Sequence, residues 1–337
     1  MRILVIAILV AALGWAAYWF IGSSAQERSV KNWLGQQQNA GWVADTSNVN
    51  VRGFPNRFDT IISDLNIADP NSGWAWSAPQ MQFLMLSYKP NHIIAQWPQT
   101  QTVSTPNQNI TVNSDEISAS LVFRANTALA LDRFTASLDN VKLNSNQGWD
   151  SQIQSAILAT RRTDASEFSY DIAFDALGFT PASEIKAQFD KSGVLPATFE
   201  TFSISTTAHY DAQWDRLSVE GNLPELTKLD INEANAIWGG LEVQAKGSVT
   251  LDNQGYPTGK LTVRAKNWKD MIKLAQENGA IDAGLARKLE TGMGLIAMLS
   301  GNQNTLDVPL SFANRITSIG PIPVGPAPQI RSPRVQN

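Results

Sequence analysis

From residue 3 to residue 21 the chain runs ILVIAILVAALGWAAYWFI without a single charge. Coiled as a helix at about 1.5 Å per residue, this run covers roughly 28 Å, close to the ~30 Å hydrocarbon thickness of a bilayer. Arg2 and the α-amino group precede it, which favours a cytoplasmic N-terminus. Trp15, Tyr18, Trp19 and Phe20 crowd its far end in the manner of an interfacial aromatic belt. The pattern predicts a retained transmembrane anchor over residues 1–22. The alternative is a signal peptide cut at Ser23-Ser24-Ala25, although the apolar run exceeds the usual ~7–15 residues of a signal core. Either way, everything after residue 22 works outside the cytoplasm.

SAQERSVKNWLGQQQNAG extends the anchor as a polar, membrane-proximal helix over residues 23–41. Beyond it the period changes to two. EISASLVF places Ile117, Ala119, Leu121 and Phe123 on one face. FSYDIAF does the same with Phe168, Tyr170, Ile172 and Phe174, and FSISTTAHY with Phe202, Ile204, Ala208 and Tyr210. LEVQAKGSVTL, KLTVRA and TLDVPLSF repeat the alternation, which marks antiparallel strands with one buried and one polar face. MQFLMLSY and HIIAQW are apolar on both sides. They form either a central strand pair covered on both faces or the wall of an apolar groove, with Met81, Phe83, Leu84, Leu86 and Ile94 as the candidate lining.

Helical signals are fewer. Thr180-Pro181 reads as an N-cap and first helical position, followed by Ile185 and Phe189 at helical spacing. Asp230-x-x-Glu233 reads as a capping box closed by Gly239-Gly240. Trp268, Met271, Ile272 and Ala275 make an apolar stripe, and a longer helix is expected over 282–299. The closing IGPIPVGPAPQIRSPRVQN is too proline-rich for a central strand, so 321–337 is expected to be an extended tail. The fold class expected is α+β: an N-terminal transmembrane helix, then an elongated, mostly antiparallel β-sheet domain over 42–320 with amphipathic helices packed on one face.

Composition then narrows the chemistry. The 337 residues are 17% charged with a net charge of −4, which argues against a nucleic-acid partner. There is no cysteine, and His92 and His209 are the two histidines, so disulfides, thiol chemistry and most transition-metal sites are excluded. Gly292-Met-Gly294-Leu-Ile-Ala297 imitates a dinucleotide fingerprint but lies late in a helical pattern, where it reads as close helix packing. His209 with Asp211 lacks a nucleophile motif, and His92 follows Tyr88-Lys89-Pro90-Asn91, read as a turn; both histidines are expected at the surface. Asp171 and Asp175 share one strand face and read as solvated, and Asn109-Ile110-Thr111 matches a glycosylation sequon by pattern alone. The expectation is a protein that is not an enzyme, with neither cofactor nor metal.

Residues 52–80, RGFPNRFDTIISDLNIADPNSGWAWSAPQ, set out a tight structural turn at Gly53 and Pro55, a strand ending at Asp69-Pro70, and a return through Trp74 and Trp76. That passage, the apolar N-terminus, GSVTLDNQGYPTGKLTVRAKNW and the closing SIGPIPVGPAP resemble the bacterial family called domain of unknown function 2125. In plan the chain is similar to AsmA-like envelope proteins. The resemblance implies a single-pass inner-membrane protein with its C-terminal domain in the periplasm, or a periplasmic protein after signal cleavage. It also implies a role in the cell envelope, binding or shielding lipid or another apolar component, or acting as a scaffold for envelope proteins without a ligand. It supplies no catalytic residues.

Overall fold

The computed structural model describes residues 1–337 apart from 165, 167, 220–222, 301–302 and 331–337. The chain divides into two compact units, one of Met1–Phe123 with Ala136–Gly148, the other of Arg124–Thr135 with Trp149–Asn337.

The first unit opens with a single helix, α1 (Arg2–Asn39), so the apolar run and the polar segment after it are continuous. Strands β1 (Val43–Asp45) and β2 (Asn48–Arg52) both pair antiparallel with β3 (Asp59–Asp69), which pairs in turn with β4 (Trp74–Leu86). The β3–β4 turn forms because the Asp69 carboxylate accepts the Asn71 amide at 3.0 Å while Gly73 takes φ +72°. β4 shares its length between two partners, β5 (Lys89–Gln96) at its C-terminal half and β6 (Thr100–Thr105) at its N-terminal half. β7 (Gln108–Asn113) pairs with β6, β8 (Glu116–Phe123) with β5, and β9 (Leu131–Ser145) with β7. Ile62, Leu65, Ala78, Met81, Ala95 and Ala119 fill the interior.

Helix α1 is held to this sheet by its own aromatic residues. Trp15 Nε1 donates to the Pro55 carbonyl at 3.0 Å, Tyr18 Oη to the Ser87 carbonyl at 2.6 Å, and Trp19 Nε1 to the Arg57 carbonyl at 2.7 Å. Phe20 stacks on Phe54 at 5.7 Å between ring centroids, and the Phe58 ring lies against Gly22.

The second unit is a meander in which each strand pairs antiparallel with the next: β10 (Asp150–Arg162), β11 (Ser169–Thr180), β12 (Phe199–Tyr210), β13 (Leu226–Trp238), β14 (Leu241–Leu251), β15 (Pro257–Lys266), β16 (Thr305–Ala313), β17 (Ile316–Ile319) and β18 (Ile322–Pro326). Two short helices, α2 (Ser183–Phe189) and α3 (Arg216–Val219), lie in its connections. The amphipathic helices α4 (Trp268–Glu277) and α5 (Ala283–Ser300) lie between β15 and β16 and pack through Trp268, Ile272, Leu289 and Met293 onto Ala265, Leu306 and Val308. The Asp282 carboxylate starts α5 by accepting the amides of Gly284 and Leu285 at 2.7 and 2.9 Å. The expected α+β class, with a long apolar N-terminal helix and antiparallel sheet, is the class observed.

Four local expectations are corrected. Residues 230–238 form the C-terminal part of β13 and not a capped helix. A helix there would strand the backbone donors and acceptors of β12 and β14, and the extra residue is absorbed as a bulge between Ile231 and Ala234. Thr180 caps no helix: its hydroxyl meets Thr198 at 2.9 Å, and α2 begins three residues later behind Ala182. Ile322–Pro326 pairs with β17 as a short strand where a tail was expected, and 331–337 lies outside the described residues. Lys89, Pro90 and Asn91 belong to β5, the turn before it being formed by Ser87 and Tyr88.

Candidate apolar binding site

The register of the second unit lines up apolar side chains across seven strands. One row runs Leu158, Phe174, Ile204, Ala234, Ala245, Val263 and Val308, each the cross-strand partner of the next. The neighbouring row on the same face runs Ala156, Ala176, Phe202, Ala236, Val243, Ala265 and Leu306. Seven strands at about 4.8 Å make a face roughly 29 Å across. Ala234, Ala236 and Ala245 place small side chains at its middle.

Helices α4 and α5 cover one end of this face incompletely. Beneath them lies a cavity of about 420 Å³ floored by Val243, Val263 and Val308, walled by Met271, Ala275 and Met293, and bordered by Ile319 and Val324 of the terminal hairpin. All the lining side chains are apolar, and the volume falls in the range of about 300–1,000 Å³ usual for small-molecule sites. The segment after β11 is tied to the end of α4: Asn278 Nδ2 donates to the Phe189 carbonyl, and Lys191 Nζ donates to the Asn278 carbonyl at 3.1 Å.

The candidate lining residues of the first unit distribute over both faces of their strands. Met81 pairs with Ile62, and Phe83 lies between Thr60 and Ala95, on the interior face. Leu84 and Ile94 are cross-strand partners on the opposite face, Leu84 half-buried and Ile94 exposed. Leu86 ends β4 beside a register shift and bridges to Arg57. Gly53 stands at φ +104° with the space for a β-carbon taken by Arg57, and the Phe54–Pro55 peptide is cis.

The polar candidates resolve into structural contacts, one of them invisible in the sequence. His209 bridges neighbouring strands, its Nδ1 at 2.8 Å from Ser169 Oγ and its Nε2 at 2.8 Å from Asp230 Oδ2. This is a serine–histidine–aspartate series, and the surface reading of His209 is corrected to a half-buried cross-strand link. Burial pushes the Asp230 carboxyl up, but hydrogen bonds with Ser248, Lys228 and His209 outweigh it and bring it down to about 2. Ser169 is only 2% exposed, so an acyl substrate has no approach to its hydroxyl. His92 is half-buried, Nε2 meeting Ser120 Oγ at 2.9 Å. Asp171 is paired with Arg161 at 3.2 Å and accepts from Thr207. Within α5, Met293 and Ala297 are buried and Gly292 gives Ile322 room to approach, which is helix packing. Among the described residues no group of three or more His, Cys, Asp or Glu side chains could hold a metal ion.

These features define a class of protein: β-rich, with one N-terminal helix long and apolar enough to cross a membrane, and a sheet face ending in an apolar cavity. A family model described as "Uncharacterized protein conserved in bacteria (DUF2125)" matches residues 19–328, nearly the whole chain, and the protein belongs to that family. No curated protein and no solved structure matches it.

Proposed function

We propose that this is an inner-membrane-anchored protein of the bacterial envelope whose β-rich part lies in the periplasm and binds or shields a lipid or another apolar component without chemically changing it. The observation that carries the reading is the wholly apolar cavity beneath α4 and α5, continuous with the two apolar rows of the sheet. Burying hydrocarbon there gains about 25 cal/mol per Å², and such a lining offers a polar ligand no partner. The positive charge ahead of the apolar helix, which favours export of the domain, supports the same reading.

The test is mass spectrometry of apolar molecules retained by the full-length protein purified in mild detergent, repeated with Ala275→Phe, which fills the cavity. A lipid carried by the wild type and lost from the variant, with stability preserved, is the expected result. No retained lipid, and no uptake of a fluorescent fatty-acid analogue, would leave a ligand-free scaffold for envelope proteins. Protease added to spheroplasts checks topology independently: digestion of the β-rich part is expected, and full protection with intact membranes overturns the periplasmic placement.

A further inference from the structure

Residues 1–14 of α1 are all exposed, and the sheet meets the helix only from Trp15 onward. The bare apolar stretch, 3–14, is therefore about 18 Å long, roughly 12 Å short of a ~30 Å hydrocarbon layer. To complete a crossing, the bilayer has to extend along the helix past Trp15 toward Gly22. Over that interval the helix is occupied by the 53–58 loop and by Ser87, held through Trp15, Tyr18, Trp19 and Phe20.

We infer that this loop, with the adjoining Tyr88 turn, is a second membrane contact: a wedge inserted at the boundary between headgroups and acyl chains of the leaflet through which α1 leaves. The inference rests on α1 being a membrane anchor. Three properties of the loop fit that position. First, the Pro55, Arg57 and Ser87 carbonyls, which would be costly to leave unpaired near hydrocarbon, all accept hydrogen bonds from the aromatic side chains of α1. Second, the loop turns apolar rings outward: Phe54 is 53% and Tyr88 63% exposed, far more than a buried turn needs. Third, Arg52, Arg57 and Lys89 are exposed beside these rings, and Arg57 pairs with the nearby Asp59. Long cationic side chains at this depth reach lipid phosphates while their stems stay in the apolar layer. The occupant is thus a phospholipid leaflet, continuous with the lipid already surrounding residues 3–14.

The absence of native cysteine permits a direct test. Phe54→Cys, Tyr88→Cys and Trp74→Cys are introduced one at a time into the full chain, labelled with a nitroxide and reconstituted into phosphatidylethanolamine–phosphatidylglycerol vesicles. Position 74, exposed at the other end of β4, is the aqueous reference, about 40 Å along the strand from Leu86. Collision with oxygen relative to a water-soluble nickel chelate should be several-fold higher at 54 and 88 than at 74. Because Phe54→Cys also removes the stack on Phe20, Tyr88→Cys decides the matter if that variant misfolds. Nickel accessibility at 88 equal to that at 74, in a chain that resists carbonate extraction, overturns the wedge and leaves the anchor standing. A chain that carbonate extracts overturns both.

Discussion

Gly53→Ala tests whether the 53–58 loop is specified by backbone geometry. Gly53 holds φ +104°, and its carbonyl accepts the amides of Asn56 at 3.1 Å and Arg57 at 2.8 Å, closing the turn. A side chain forced into such a conformation costs about 1–3 kcal/mol. The added methyl group would also sit 2.6 Å from Arg57 Cβ and 3.0 Å from the Arg57 carbonyl oxygen. Relieving that contact means moving backbone, a cost of about 1–2 kcal/mol. The variant should therefore lose about 2–5 kcal/mol, which at roughly 3 °C per kcal/mol lowers Tm by about 6–15 °C. Gly148→Ala is the matched control: Gly148 has φ +90° but nothing within 4 Å of the new β-carbon, so only conformational strain applies. Thermal unfolding of both variants in detergent micelles, followed by near-ultraviolet circular dichroism, makes the comparison. A Gly53→Ala melting point no lower than that of Gly148→Ala refutes the steric part, and an unchanged one refutes the whole argument.

Three further outcomes are expected. Asp230 titrates at about 2 in the folded chain against an ordinary 3.8, so its contacts stabilise fully above about pH 4 and are lost as pH falls toward 2. With its side chain 28% exposed, screening leaves about 1–2 kcal/mol, visible as an acid-side loss of Tm that Asp230→Asn lacks. Trp268 is 1% exposed and donates to the Gln303 carbonyl at 3.1 Å, so Trp268→Ala should cost about 3–5 kcal/mol in chemical denaturation and abolish retention of any apolar ligand. Met81→Ala, on the interior face, should cost about 2–5 kcal/mol, whereas Leu84→Ala, half-buried on the other face, should cost less than half as much; equal losses would contradict the assignment of faces.

Period-two alternation made β11, β12, β14, β15 and β16 readable, because each carries its apolar residues on one side only. The stripe through Trp268 and Ile272 likewise announced α4, and the apolar N-terminus announced the first part of α1. What local pattern could not carry was partnership. Asp230 and Glu233 have the spacing of a helix start, and only the presence of β12 and β14 on either side makes that segment a strand. Ser169 starts β11 and His209 lies near the end of β12, with α2 between the strands, so their hydrogen bond depends on a register that no single strand encodes. The same holds for the apolar cavity. Leu84 and Ile94 stand out in the sequence because their strands are apolar on both sides, whereas Ala236, Val243 and Ala265 alternate like any half-buried strand. Whether a one-sided face is covered, and how well, is decided by how the helices between β15 and β16 fold back over it. Phe174 and Phe202 were legible as strand residues, and the two rows to which they belong were not.

Helix α1 passes from its apolar stretch to its polar stretch without a break, and the side chains of Trp15, Tyr18 and Trp19 lock it to the first unit. A domain on a flexible tether tumbles freely and samples every bearing toward its neighbours. Here the swivel is missing. With α1 in a bilayer, the first unit keeps one height and a narrow range of tilt, and its remaining freedom is chiefly rotation about the membrane normal and lateral diffusion. A partner in the same membrane would then search in two dimensions for a surface already facing the right way, so much of the orientational entropy of association is spent when the chain folds and not when the partners meet.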